Sequence, residues 1–461
     1  MLPTLLMLAC HSQSDSDDSP TLPEPGPTTQ SALLQFTGNV PTNLLIVTLD
    51  TTRWDKIGRY GGSSTPELDA FLAGAVSLDA HRSCSNWTGP SMTCFLSGRM
   101  PAAAGFWPLS SDPNIPDIPP VDWETFPGRM SDAGWHSRLL SANPVFGTKP
   151  EYGDLARGYD EVSDLQWMNG AELTALAADS AAELLAEPDV PWLLHVHYVD
   201  PHGPYCPPEE LLDTSGLPVI FTDDICDDFH MSRGLYWDQT PEWQAAFTEW
   251  SLEYYRAEIA AWDAAFGDLI EEMDLIGALE DTLIVFATDH GEQFGERNAF
   301  GHGILLGPEE TRAMGAFWSK SLVPATWTGT TFHSDLAATL LDLYGLEPSA
   351  PLEGQMVGSA PPDRVVPIWN LWSGIGADEF AVNWGGTADV YLSVVRGDLQ
   401  MNYAWDGNRA LYHLDTDPQG LIDVYEASDP DVVALWTSMG ALVEEVRGYY
   451  PLFGDPVNPA P

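Results

Sequence analysis

Basic residues are scarce in this chain. Eighteen Lys and Arg stand against 68 Asp and Glu over 461 residues, a formal net charge of −50. Nucleic-acid binding needs basic patches or stripes, so that class is excluded. A polyanionic substrate would need a locally positive cleft. So lopsided a charge implies a solvated, mutually repulsive surface, and a saline environment is one setting for it. Long apolar runs are also missing, since crossing a bilayer takes about 20 apolar residues and no run reaches that. There are no internal repeats. Cysteine is rare, with five in all. Cys206 and Cys226 would close a loop beside the proposed site if paired, but free buried cysteines are an equal reading, because connectivity is not legible in a sequence.

The hydrophobic fraction of 44% is normal for a globular core. The length exceeds the usual prior of about 100–200 residues per domain, which fits one large α/β domain with a small appendage. Residues 1–9 form a short apolar segment ending in Met7-Leu8-Ala9, followed by Cys10. This resembles a bacterial lipoprotein cleavage box, although the basic flank expected of a signal peptide is absent. The expectation is an exported, cell-envelope lipoprotein whose partner is the membrane, through a lipid on Cys10. Residues 10–38 are rich in Ser, Asp, Pro and Thr at their start and read as a polar linker.

What the chain does have is chemistry at strand ends. Thr282 to Ala287 is an apolar run of buried-strand type, and Asp289-His290 follow it. In open α/β sheets ligands bind at the carboxyl ends of strands, and a carboxylate beside an imidazole is half of a metal site. His302 lies between two glycines. Leu44 to Leu49 is a second such strand, ending in Asp50. Trp192 to Tyr198 is a third, with His202 just beyond it in Asp200-Pro201-His202-Gly203-Pro204-Tyr205. Thr88-Gly89-Pro90-Ser91 sets a hydroxyl ahead of a helix, where it reads equally as an N-cap with Pro90 in the first turn. His197 reads as a packed strand residue rather than a catalytic one. Arg53 and Arg312 read as structural ion-pair residues first and anion contacts second.

Taken in order, these segments resemble the sulfatase family of the alkaline-phosphatase superfamily. Leu45 to Gly61 is similar to its first strand and metal loop, and Thr65-Pro66-Glu67-Leu68-Asp69 to its T-P-x-L-D helix start. Thr88-Gly89-Pro90-Ser91-Met92 with Leu96-Ser97-Gly98-Arg99-Met100-Pro101 lies over the nucleophile motif C/S-x-P-S-R and its tail. Pro201-His202-Gly203-Pro204-Tyr205, Thr288-Asp289-His290-Gly291-Glu292, Gly301-His302-Gly303 and Glu309-Glu310-Thr311-Arg312 follow in family order. Tyr412 to Pro418 resembles the C-terminal signature.

The departures are as informative. The family's nucleophile is a Cys or Ser matured to formylglycine, and here it is Thr88, which that maturation does not accept. Met92 replaces the motif's arginine, and Thr51 stands at the second aspartate of the first metal loop. Leu140-Ser141-Ala142-Asn143-Pro144 stands where G-K-W-H is usual. Threonine nucleophiles belong to phosphodiesterases, phosphoethanolamine transferases and lipoteichoic acid synthases of the same superfamily. Their metal set of acid, Thr, Asp and His corresponds to Asp50, Thr88, Asp289 and His290.

The resemblance implies an α/β fold: a large, mostly parallel, alkaline-phosphatase-like sheet flanked by helices, over residues 39–375. A small C-terminal α+β subdomain with a short antiparallel sheet is expected over 376–461. Within the first of these, Pro207–Gln244 reads as a polar, irregular insert. The expected function is metal-dependent hydrolysis of sulfate or phosphate esters of small molecules, glycans or lipids. One divalent ion (Ca, Mn or Zn) would sit on Asp50, Asp289 and His290. Thr88 is the expected nucleophile, favouring phosphodiester or phosphonate chemistry, with His202 and His302 as catalytic groups. The alternatives are a true sulfuric ester hydrolase and an exported binding protein without turnover.

Overall fold

The computed structural model describes residues 33–449 apart from 63–64, 102, 104–123, 147–153, 219–235, 237–238, 304, 362, 371–389 and 405–408. The lipidation segment, Cys10, most of the expected linker and half of the expected insert therefore lie outside the described residues.

Eight strands make the main sheet: β1 (Asn43–Leu49), β2 (Val76–Leu78), β3 (His136–Ser141), β4 (Glu161–Asp164), β5 (Trp192–Tyr198), β6 (Thr282–Thr288), β7 (Gly315–Trp318) and β8 (Ala325–Trp327). Their order is β8-β2-β7-β6-β1-β5-β3-β4. The run from β6 through β1, β5 and β3 to β4 is parallel, while β7 is antiparallel to both neighbours. The sheet is thus mixed and mostly parallel, as expected.

The central strands are buried on both faces, which explains their continuous apolar sequences. Successive side chains alternate between faces. Leu45, Val47 and Leu49 of β1 join one apolar cluster, and Leu44 and Ile46 join the other. Helices α1 (Pro66–Ala73), α4 (Gly170–Leu185) and α5 (Pro241–Leu275) cover the first face. Helices α2 (Thr88–Ser97), α3 (Phe126–Asp132) and α7 (His333–Leu343) cover the second, and the single turn α6 (Pro308–Thr311) precedes β7.

Two expectations need correction. Pro207–Gln244 is not irregular throughout: α5 begins at Pro241, with the Thr240 side chain accepting from Trp243 N. Proline at the first helical position and a threonine cap are the usual start signals. The linker also ends before Gly38, since Leu34 is buried and Phe36 pairs with Leu322.

Four further strands, β9 (Val366–Trp369), β10 (Val390–Arg396), β11 (Leu399–Ala404) and β12 (Arg409–His413), form an antiparallel sheet in that order. Helix α8 (Pro430–Tyr449) accompanies it. Its first strand thus comes from the chain ahead of residue 376. This sheet packs, through Ile368, Leu392 and Val394, on Cys84, Trp87 and Cys94. The small subdomain therefore supports the segment that carries Thr88.

Candidate active site

Strands β1 and β6 are adjacent, parallel and in register from Leu49↔Thr288 backwards. Their next residues, Asp50 and Asp289, therefore emerge side by side at the carboxyl edge of the sheet. Asp289 N donates to Leu49 O at 3.1 Å, and Asp50 N to Tyr198 O at 3.0 Å. His290 follows Asp289. One ligand atom from each of Asp50, Asp289 and His290 lies within 4.8 Å of the others, and all three residues are buried.

Thr88 is brought in by α2. It is the first residue of the helix, not its cap: Trp87 is the N-cap and is extended at φ −157°. Thr88 Oγ1 lies 3.3 Å from His290 Nε2 and 3.5 Å from Asp50 Oδ2. The positive end of the α2 dipole thus faces the cluster, an arrangement suited to an anion. Ser91 Oγ, one turn on, donates to Asp289 O at 2.6 Å and ties the helix to the metal loop. Two flanking cysteines fix the segment further, since Cys84 and Cys94 form a disulfide around Thr88. Cys206 is disulfide-bonded as well, and Cys226 lies outside the described residues.

The sequence reading left Asn143 without a role. Its Nδ2 donates to Asp50 Oδ2 and approaches Thr88 Oγ1 at 3.4 Å, while its Oδ1 accepts from Val145 N at 2.7 Å. The amide is thereby oriented with its donor toward the nucleophile. His197 is the packed group expected from its place in β5. Its Nε2 lies 3.5 Å from Asp50 Oδ2, and its Nδ1 is 2.7 Å from Thr48 Oγ1. Thr48 in turn meets His195 Nε2 at 2.8 Å, and His195 Nδ1 meets the Tyr159 hydroxyl at 2.6 Å. Asp50 is braced by a buried polar chain built on β1 and β5 and ending at Tyr159.

His202 and His302 form the outer wall. Their ring centroids are 5.0 Å apart, and His302 is 4.6 Å from His290. His302 Nδ1 faces Glu292 Oε1 at 3.0 Å, and Tyr205 donates to the other Glu292 oxygen at 3.2 Å. His202 Nδ1 lies 2.6 Å from Gly203 O. All six expected site residues thus lie in one neighbourhood.

The expected secondary roles of the arginines resolve differently. Arg53 pairs with Asp55 at 2.8 Å and Glu296 at 2.7 Å. The Arg312 guanidinium covers the Trp54 ring at 3.8 Å. Both are structural. Met92 packs in the apolar cluster with Phe95 and Leu96, so that position delivers no cation to the site.

The electrostatics are those of a cation site. Asp50 Oδ1, Asp289 Oδ2 and Thr51 Oγ1 are buried without a hydrogen-bond partner among the described residues. Unpartnered buried carboxylate oxygens are costly, and a divalent cation would satisfy both. Burial pushes the Asp50 carboxyl up, but the adjacent His197 and His202 imidazoles outweigh it and hold the group well below the usual range. Burial and the adjacent Asp50 charge push Asp289 well above it. Burial, with His302 beside it, lowers His290 to about 3, which keeps the ring neutral, as a metal ligand must be. Two acids, a neutral imidazole and a hydroxyl fit a divalent ion of the calcium, manganese or zinc kind.

A sulfatase family profile matches residues 42–346. The chain belongs to the sulfatase family. N-acetylgalactosamine-6-sulfatase of Sus scrofa is 22% identical over 346 residues, covering 67% of this chain and 63% of that protein. N-acetylglucosamine-6-O-sulfatase of Bacteroides thetaiotaomicron is 20% identical, covering 68% and 69%. The chain therefore spans just under two thirds of the length of the first of these relatives. Among solved structures, the phosphonate monoester hydrolase of Agrobacterium radiobacter superposes with a TM-score of 0.63 at 18% identity, covering 88% of this chain and 95% of that one. An enzyme solved in complex with its substrate D-glucosamine-2-N,6-O-disulfate gives 0.63 at 17% identity, covering 92% and 100%. These likenesses establish the alkaline-phosphatase-like fold of the chain.

Proposed function

We propose that this sulfatase-family protein is a metal-dependent hydrolase of sulfate or phosphate esters, with Thr88 as its nucleophile and a preference for phosphodiesters or phosphonate monoesters. The observation that carries the reading is the position of Thr88 Oγ1, 3.3 Å from His290 and 3.5 Å from Asp50, at a helix N-terminus. Asp50, Asp289 and His290 would hold one divalent ion, which when bound neutralises the non-bridging oxygens and acidifies a nearby hydroxyl.

The remaining steps belong to the chain itself. The Thr88 oxygen attacks phosphorus in line, its proton passing to Asp50 Oδ2, the acceptor 3.5 Å away, and the bond to the leaving oxygen breaks. His302 gives that oxygen its proton, with Glu292 at its Nδ1 fixing the ring's orientation, a task a carboxylate performs for a catalytic histidine elsewhere. His202 contacts the departing ester oxygen from the outer side. Water, deprotonated by His302 in its basic form, then attacks phosphorus, the Thr88 O–P bond breaks, and Thr88 recovers its proton from Asp50. Asn143 holds Thr88 and donates to a developing oxyanion.

A sulfated threonine lacks the exit that formylglycine hydrate has, namely expulsion of sulfate with return of an aldehyde. That chemical difference supports phosphorus over sulfur. The neighbours named as phosphonate monoester hydrolases are in keeping with it, and the curated sulfatases favour sulfuric esters as the second reading. Turnover of matched aryl sulfates, phosphodiesters and phosphonates decides: faster sulfate turnover refutes the preference, and no turnover of any favours a binding protein. We further propose export and lipid anchoring at Cys10. A Cys10→Ser protein that still partitions with membranes as the parent does would refute the anchor.

A further inference from the structure

Trp167 is exposed to 51%, and no other tryptophan among the described residues is classed as exposed. It sits between β4 and α4 with φ at 61°, a left-handed conformation that a bulky side chain adopts only when its surroundings impose it. The surroundings do so here. Trp167 N donates to Ala142 O at 2.7 Å, Leu165 N to Ser141 O at 2.8 Å and Met168 N to Leu165 O at 2.9 Å. Asn169 then caps α4 by accepting from Glu172 N. The turn that pins Trp167 is therefore the same one that leads into Asn143.

The indole centroid lies 5.4 Å from that of His202. His202 is 5.0 Å from His302, and His302 is 4.6 Å from His290, which touches Thr88. A row of rings thus leads outward from the nucleophile and ends in an exposed indole. Nothing in the core needs a large aromatic there, and its exposure and backbone strain both oppose folding stability. Asp164 and Gln166, bonded to each other at 2.9 Å, are exposed polar groups on the same turn.

We propose that Trp167 is the platform for the leaving group: its face receives the flat apolar face of a six-membered ring carried on the departing oxygen. A pyranose and an aryl ring share that chemistry, by CH–π and π contact respectively. The inference rests on the reading of His202 and His302 as the leaving-group side of the site. Trp167 contacts no reacting atom, so it sets specificity through KM.

The test compares phenyl, glucopyranosyl and ethyl esters of methylphosphonate by phosphorus NMR. Trp167→Ala should raise KM for a ring-bearing ester by about tenfold and leave kcat/KM of the ethyl ester within about twofold of the parent. Trp167→Phe should restore most of the difference. Trp167→Gly, which relieves the left-handed strain, should lose ring preference with no fall in Tm. Equal losses on the ring and ethyl esters would mean that Trp167 only positions His202, and would overturn the proposal. A second arm does not depend on turnover. Saturation-transfer NMR of phenol, methyl glucopyranoside and glycerol with the Thr88→Ala protein should saturate protons of at least one ring compound and none of glycerol, and the effect should vanish in Thr88→Ala/Trp167→Ala. Ring binding without turnover would fault the catalytic reading alone. No Trp167-dependent ring binding would fault this one.

Discussion

Asn143 Nδ2 lies between the Asp50 carboxylate and the Thr88 hydroxyl, donating to the first and 3.4 Å from the second. A neutral amide therefore stands beside the nucleophile, within the stretch where the family resemblance leads one to expect G-K-W-H. It can steady Thr88 and meet an oxyanion without adding charge. Asn143→Ala is expected to lower kcat by about 10²–10³, the usual cost of one preorganised donor. Asn143→Asp should be worse, because it sets a third carboxylate against Asp50 and Asp289. Equal KM and lower kcat in steady-state assays is the expected pattern; an unchanged kcat would remove Asn143 from the site.

Thr88 carries the covalent step. Thr88→Ala should drop turnover by about 10³–10⁶, the range seen when a nucleophile is deleted, while its Tm stays near the parent's. Thr88→Ser retains the hydroxyl and should keep measurable activity. Mass spectrometry of a rapidly quenched phosphodiester reaction should find the phosphoryl or phosphonyl adduct on the peptide containing Thr88. Unchanged turnover in Thr88→Ala would exclude the mechanism.

Asp289 and Asp50 each keep one buried carboxylate oxygen without a partner. One divalent ion per chain is expected by elemental analysis, and chelation should lower Tm, because an ion that binds the folded state alone stabilises it by mass action. Asp289→Ala removes a ligand and should abolish both the bound ion and the response to chelator. An ion retained at parent stoichiometry in that variant would refute the assignment.

The centre of the fold was legible because its strands are buried on both faces. β1, β5 and β6 were read nearly to the residue from apolar runs alone, and their terminal Asp50, Asp289 and His290 announced a site through residue type. The short strands β2, β7 and β8 on one side of the sheet were not, since three or four residues carry no period. The first turns of α5 were missed because Glu242, Gln244 and Glu249 read as part of a polar insert, although Thr240-Pro241 marks the start and Trp243, Phe247 and Trp250 recur at helical spacing. Asn143 and Trp167 lie on loops that reach the site only through the sheet order β1-β5-β3-β4, which local pattern does not reveal. The Cys84–Cys94 bridge was equally silent: disulfide pairing depends on where β9 and α2 bring the chain.

Glu258 gives a pH test of stability away from the metal site. It lies on α5, 7% exposed, accepts from Cys206 N, and faces the charge of Asp200. Burial first and Asp200 second push its carboxyl from 4.5 up to about 8. Burial likewise raises Asp200 to about 6. Between about pH 4.5 and 8 the folded state holds the Glu258 proton and the unfolded chain has lost it. The folded state therefore binds more protons, and stability falls as pH rises through that window, levelling above about pH 8. Glu258→Gln keeps an oxygen for Cys206 N and has nothing to titrate. At constant ionic strength, which holds the screening of the −50 charge fixed, the variant should match the parent in Tm near pH 5. It should exceed the parent near pH 8 by at most a few kcal/mol of unfolding free energy, as one pKa unit is worth about 1.4 kcal/mol. The difference between the two curves isolates Glu258 from the other carboxylates, which titrate in both proteins. A constant difference across this range would show that the Glu258 carboxyl does not hold its proton in the fold.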